Sequence, residues 1–282
     1  MEIKKIIVVI GATGKQGGAV IKHLLKTDFA IKAVSRSLDG PGAQKLRKMG
    51  IEVVQGDLNK PETLGLILAE AYGVFSIQNN WTSSVETELL QGKAIADAAH
   101  AAGVQHFIYS SVGGAERNTN IPHFDSKFKI EKHINKLGLP YTIVRPTYFM
   151  ANLLEKGQMG FINWGLLSWA LKRKRKLQMV DVDDIGAFVA YCFVHSEPFL
   201  GKAIELAGDE LTYEQIKTTF TKVTGKPPFH FTLPAWLFKP ISPEIYSMVS
   251  WFKTSGYKAD IPALRESFPR LKTFEQALHT YC

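Results

Sequence analysis

Two cysteines, Cys192 and Cys282, are all that the 282 residues contain. That excludes a disulfide framework and a thiolate metal site, and it fits a reducing compartment, so a cytoplasmic location is expected. No apolar run approaches the ~20 residues of a membrane-spanning helix, so no membrane partner is expected. The first apolar run, residues 6–10, stops at a glycine, so no targeting leader is expected. Repeats and low-complexity segments are missing as well. Acidic residues are in deficit, 26 against 34 Lys and Arg, for a net charge of +8. Such an excess suits nucleic acid, an anionic surface or a phosphorylated cofactor. There is no zinc-finger spacing and no RNA-binding aromatic motif, which makes nucleic acid the least favoured of the three. The densest basic run, Lys172-Arg173-Lys174-Arg175-Lys176, reads as a solvated loop, with a phosphate patch or nuclear import tract as the alternative. Hydrophobic content of 45% and charged content of 21% are those of an ordinary globular chain.

What is present begins at Ile6. The run Ile6–Ile10 leads directly into Gly11-Ala12-Thr13-Gly14-Lys15-Gln16-Gly17-Gly18, and then into the helical pattern of Ala19, Val20, Leu24 and Leu25. A short apolar run bounded by glycine predicts a buried parallel strand. Each glycine then has a task. Gly11 permits the tight turn, Gly14 lets the backbone approach a pyrophosphate, and Gly17 lets the helix pack close to the strand. Amide groups and the positive end of the helix dipole favour a bound phosphate, so Thr13, Lys15 and Gln16 join the glycines as candidate cofactor contacts. A P-loop is excluded, because Gln16 follows Lys15 where Ser or Thr is required.

Strand and helix then alternate. Predicted strands are 30–34, 51–55, 73–77, 104–109, 141–144 and 202–206, with helices over 42–49, from 61, along the pattern of Leu89 to Ala99 and over about 125–137. This alternation predicts an α/β fold: a Rossmann-type doubly wound parallel sheet with a smaller C-terminal α/β lobe. The expected division is a nucleotide-binding core over 1–150 and a substrate or partner lobe over 151–282, interleaved with the core. About twenty residues beyond the glycines, an NAD-binding fold places an acid to bond the ribose 2′-hydroxyl. Here the second strand ends in Ser35-Arg36-Ser37. A guanidinium there suits a 2′-phosphate, so NADP(H) is expected, with NAD(H) weaker. Loops at the carboxyl ends of strands border the ligand crevice, which places Asp57 and Leu58 beside the adenine. Gln78, Asn79, Asn80 and Trp81 form either a polar turn or contacts to ribose and nicotinamide.

Taken together, Gly11–Gly17, Gly56-Asp57-Leu58, His123-Phe124-Asp125-Ser126-Lys127, Val144-Arg145-Pro146 and Val182-Asp183-Asp184-Ile185-Gly186 resemble the NmrA-like group of atypical short-chain dehydrogenases/reductases. That group includes NADP-binding regulators and quinone-reductase relatives. The resemblance implies a serine position at Ser110 or Ser111, and Lys127 as the lysine that holds the nicotinamide ribose. It also puts His123 where the wider superfamily has its catalytic tyrosine, and Tyr148, Phe149 and Asn152 toward the nicotinamide. A tyrosine lowered by a nearby ammonium can exchange a proton near neutral pH, whereas a histidine beside a lysine is biased against imidazolium. Ordinary carbonyl reduction is therefore not expected, no catalytic residue is assigned, and Ser111 and His123 are substrate-side candidates. The implied functions are a sensor of cofactor occupancy with a protein partner, or an oxidoreductase with a small-molecule acceptor, in a monomer or homodimer.

Further along, Asp183 or Asp184 is expected to cap a helix running to Val194, which accounts for them without a metal. Thr212-Tyr213-Glu214-Gln215 and Thr273-Phe274-Glu275-Gln276 have capping-box spacing and should each open a helix. Trp236, Phe238, Tyr246, Trp251, Phe252 and Tyr257 read first as a small core and second as a substrate lid.

Overall fold

The computed structural model describes residues 4–172 and 174–281, so Arg173 and Cys282 lie outside the described residues. In chain order the strands are β1 (Ile6–Val9), β2 (Ala30–Ser35), β3 (Glu52–Gln55), β4 (Ala71–Ser76), β5 (His106–Ser110), β6 (Tyr141–Pro146), β7 (Tyr148–Phe149), β8 (Lys176–Val180), β9 (Lys202–Leu206) and β10 (Asp209–Thr212). The helices are α1 (Lys15–Leu24), α2 (Pro41–Lys48), α3 (Leu64–Leu68), α4 (Val85–Ala101), α5 (Pro122–Leu137), α6 (Gly157–Ala170), α7 (Val182–Val194), α8 (Tyr213–Thr224), α9 (Pro243–Thr254), α10 (Ile261–Ser267) and α11 (Phe274–Tyr281). The central sheet has the order β3-β2-β1-β4-β5-β6-β9 and is parallel. Stepping outward from β1 in both directions is the doubly wound arrangement predicted by the alternation.

Several boundaries shift by one to three residues from the sequence reading, and two of the shifts have local causes. Gly103 takes φ +67 and Val104 donates its amide to Ala99 O at 3.0 Å, so Val104 closes α4 and β5 starts only at His106. Pro122 opens α5, three residues earlier than expected, because proline suits the first helical position; His123 and Lys127 thereby share one helix.

The chain forms two compact units. The first comprises 1–111, 125–145 and 185–204. Its core places Val8, Val74, Phe107 and Tyr109 of the sheet against Ile95 and Ala99 of α4 and Ile130 and Ile134 of α5. Within it His106 is fully buried, its Nε2 2.8 Å from Thr142 Oγ1. Thr142 gives its own proton to Phe199 O, so His106 donates from Nε2. Burial pushes its pKa down to about 4. The unfolded chain therefore binds this proton first. The contribution of a neutral His106 is complete above pH 6.5 and is lost as the pH falls toward 4, for a total on the order of ~3 kcal/mol. Urea unfolding midpoints across that interval are expected to fall with acidification, and His106→Gln is expected to flatten the slope; an unchanged slope in the variant contradicts this assignment.

The second unit comprises 112–124, 146–184 and 205–282. Its small sheet has the order β10-β8-β7, with β10 antiparallel and β7 parallel to β8. The core reading of the aromatic set holds: Trp251 and Phe252 are buried with Trp164 and Phe274, and Phe238, Tyr246 and Tyr257 pack against them, while Trp236 stays 59% exposed. Both predicted capping residues open helices. Thr212 makes a reciprocal box with Gln215, and Thr273 and Gln276 exchange amide bonds at 3.3 and 2.9 Å. The expectation for Asp183 and Asp184 is corrected. Because α7 begins at Val182, Asp181 precedes it and accepts from the Asp183 amide at 3.3 Å. Asp183 and Asp184 instead join Asp181 around Lys272 Nζ, at 3.1, 2.7 and 2.8 Å. These three carboxylates are close enough together to ligate a metal, and the ammonium supplies the positive charge they require. No helix among the described residues is long and apolar enough to cross a membrane.

Candidate functional site

The first unit carries the glycine turn. Ile10 donates its amide to Phe75 O at 2.8 Å, which ties the strand end to β4, and the chain then reverses at Gly11 with φ +72. Gly14 closes the turn by donating to Gly11 O at 2.9 Å. A Cβ on Gly17 would lie 2.2 Å from Gly11 O, so only glycine lets α1 start this close to the turn. Gly14 is the N-cap and offers no side-chain oxygen, and the first turn of α1 has no acid. The helix start thus keeps its positive end uncompensated, which is the chemistry an anionic diphosphate requires.

The neighbouring candidates have distinct environments. Thr13 is exposed, with its methyl group over Gly42. Gln16 is buried, and its Oε1 accepts from Ser110 Oγ at 2.7 Å, tying the glycine turn to the end of β5. Arg36 is exposed beyond β2; its main-chain oxygen accepts from Gln55, and no carboxylate among the described residues pairs with its guanidinium. Ser35 turns its hydroxyl back to Ser37 O at 2.7 Å. Asp57 holds its own loop through the Asn59 amide at 3.0 Å, and Leu58 packs on the core. The cluster after β4 forms the polar turn. Asn79 caps a short turn by accepting from the Trp81 amide, whereas Gln78 and Asn80 are buried.

Lys127 has a partner that sequence reasoning missed. Its Nζ lies 3.0 Å from Oε1 of Glu88, which is fully buried, and 3.4 Å from Gln78 O. The other Glu88 oxygen accepts from Ser126 Oγ at 2.5 Å. The ammonium also stands 5.7 Å from the centre of the Tyr109 ring. Burial, together with the carboxylates of Glu88 and Glu131, pushes the Tyr109 phenol far up, so it stays protonated. The signal for Glu88 was available: Glu88, Gly92, Ile95 and Ala99 fall at i, i+4, i+7 and i+11 on the buried face of α4. An acid on an apolar stripe requires a cation. Nearby strand ends also leave polar atoms without partners, Gln78 Oε1 after β4 and Ser111 Oγ after β5. Buried polar groups in native proteins are usually paired, so these two fit a site shaped for a polar ligand.

In the second unit, His123 is buried and its Nδ1 bonds a Glu244 carboxylate oxygen, which also accepts from the His123 amide at 3.2 Å. The hydrogen bond from His123 holds the Glu244 carboxyl below its ordinary 4.5. Lys127 in the first unit and His123 in the second thus each have a carboxylate partner of their own, Glu88 and Glu244. Tyr148 is buried and hydrogen-bonded to Asn152, and burial drives its phenol up. Phe149 pairs with Val180 in the small sheet.

The family model for the NmrA-like family matches residues 3–275. The chain belongs to the NmrA-like family. An NmrA-like family domain-containing protein of Dictyostelium discoideum is 29% identical over 297 residues, covering 98% of this chain and 97% of that protein. Among solved structures, Citrobacter sp. triphenylmethane reductase complexed with NADP(H) matches with a TM-score of 0.80 at 22% identity, over 99% of this chain and 100% of that one. NmrA, a negative transcriptional regulator, in complex with NADP, matches with a TM-score of 0.79 at 21% identity, over 98% and 95%. These likenesses show the Rossmann-like α/β fold, which a protein named as a transcriptional regulator and one named as a reductase both share.

Proposed function

We propose that this protein binds NADP(H) and reports its occupancy or redox state to a partner. The observation that carries the cofactor reading is the uncapped start of α1 behind Gly11, Gly14 and Gly17, with the unpaired guanidinium of Arg36 one strand over. The residues fit the group. Thr13, Lys15 and Gln16 belong to the turn, and Arg36 suits the 2′-phosphate. Asp57 and Leu58 border the adenine side, while Gln78, Asn79, Asn80 and Lys127 offer donors and acceptors to ribose and nicotinamide. Glu88 holds the Lys127 ammonium in place, and its remaining N–H groups can give ribose hydroxyls the stronger hydrogen bonds of a charged donor. When bound, the nicotinamide supplies a hydride donor or acceptor.

Arg36→Ala is expected to weaken NADPH about tenfold to a hundredfold, since hydrogen bonds to charged groups contribute about 1.5–3 kcal/mol, and to leave NADH nearly unchanged. Equal losses for both cofactors in a titration would show that Arg36 does not read the 2′-phosphate. Sensing further requires that the cofactor favour one conformation over another. Limited proteolysis at saturation, with NADPH and with NADP+, reads this directly; identical digestion patterns with and without cofactor rule the sensor out.

The His123–Glu244 pair favours a second reading, an NADPH-dependent oxidoreductase acting on a quinone-like or conjugated acceptor. A carboxylate on Nδ1 fixes the imidazole and balances a positive charge on it, as a proton-exchanging histidine requires. Triphenylmethane reductase, one of the similar structures, is a reductase by name. Ser111 of the first unit and His123 of the second are the substrate-side candidates in this reading, and Tyr148, Phe149 and Asn152 the candidates for the nicotinamide. NADPH consumption across quinones and enones is the deciding assay; no turnover across the panel removes the enzyme reading.

A further inference from the structure

We infer that the second unit carries a docking face for an anionic lipid bilayer, formed by α6, the basic turn after it and the segment between α8 and α9. This face plays no part in the cofactor reading. Two long stretches of sequence, 156–180 and 215–243, contain no Asp or Glu. The fold runs them side by side: Leu233 donates its amide to Gly165 O at 3.0 Å, and Ser168 Oγ donates to Thr232 Oγ1 at 3.0 Å. Along this seam Phe229 and Phe231 cluster with Phe161, with ring centres 6.0, 6.0 and 5.9 Å apart. Phe229 is 79% exposed and Phe231 69%; Ile241 is 81% exposed and Met159 55%. A contiguous cluster of exposed aromatic rings marks an interaction site.

The surrounding charge selects the occupant. Lys172, Lys174, Arg175 and Lys226 are exposed and have no carboxylate partner among the described residues. A second copy would bring the same cations face to face in a chain of net charge +8, which like-charge repulsion opposes. A DNA duplex would take the cations, but its stacked bases give the phenylalanines nothing to enter. A bilayer takes both: aromatic rings enter the interfacial zone while Lys and Arg meet anionic headgroups. The cytoplasmic leaflet, on the side where this chain is expected, is the anionic one.

Co-sedimentation with vesicles tests this. The full chain is expected to pellet with phosphatidylcholine vesicles that contain phosphatidylserine, to stay in solution with phosphatidylcholine alone, and to be released by added salt. Phe229→Ser with Phe231→Ser is expected to cost at least about tenfold in vesicle affinity, and Lys174→Glu with Arg175→Glu a similar factor. Both pairs are exposed, so thermal unfolding should be unchanged. No pelleting with anionic vesicles overturns the proposal, as does loss with neither pair. If the chain instead dimerises through these phenylalanines, or binds an acidic polypeptide or duplex DNA but no vesicles, the face belongs to that partner and the lipid proposal fails.

Discussion

Gly17→Ala is expected to abolish dinucleotide binding and to lower stability by about 3 kcal/mol, the upper range for forcing a methyl group into a packed site. The added carbon would meet Gly11 O at 2.2 Å and Gly11 C at 2.6 Å, both backbone atoms that cannot rotate away. Relief requires α1 to move off the strand or the turn to open, and either displaces the amides at the helix start. Gly18→Ala is the matched control. Its new carbon meets nothing nearer than 3.8 Å, and alanine is the better helix former, so stability should hold or rise slightly. Thermal unfolding and a NADPH titration on both variants separate a crowded turn from a general intolerance of change in this helix. Equal behaviour of the two variants contradicts the account of the turn.

The second large effect is at Glu88. Removing one partner of a buried ion pair leaves the other charge without compensation, at a cost of about 3–5 kcal/mol. Glu88→Gln strands the Lys127 ammonium and weakens the bond from Ser126. Glu88→Gln and Lys127→Met are each expected to be strongly destabilising alone, and their combination less so than the sum, because the double variant leaves no unpaired charge. Additive losses in denaturant unfolding would show that the two side chains are not coupled. The same cycle bears on cofactor binding, since Glu88 fixes the position of the Lys127 ammonium.

Much of the fold was legible because its signals are local. The apolar run 6–10, the glycine spacing after it and the alternation of strands and helices are set by short-range sterics and burial, and they reappear as β1, the turn and the parallel sheet. Capping boxes at Thr212 and Thr273 are likewise local chemistry and lie where they were read. Tertiary pairings were not legible. Asp183 and Asp184 look like caps within their own segment, and only the return of Lys272 makes them ion-pair partners. Glu244 is far from His123 in sequence, and its position at the first turn of α9 resembles an ordinary acidic helix start. Glu88 is the intermediate case. Its place on an apolar stripe announces a buried cation, yet which of 34 basic residues supplies it is decided only by the packing of α5 against α4.

The central claim is that the glycine turn grips a diphosphate and that Arg36 reads the phosphate on the adenosine ribose. Calorimetric titration of the purified protein with NADPH and then NADH is the most direct measurement. The account predicts saturable binding of both, with NADPH tighter by about tenfold or more, as a charge-assisted contact implies. Absence of heat from either cofactor, or tighter binding of NADH, contradicts it.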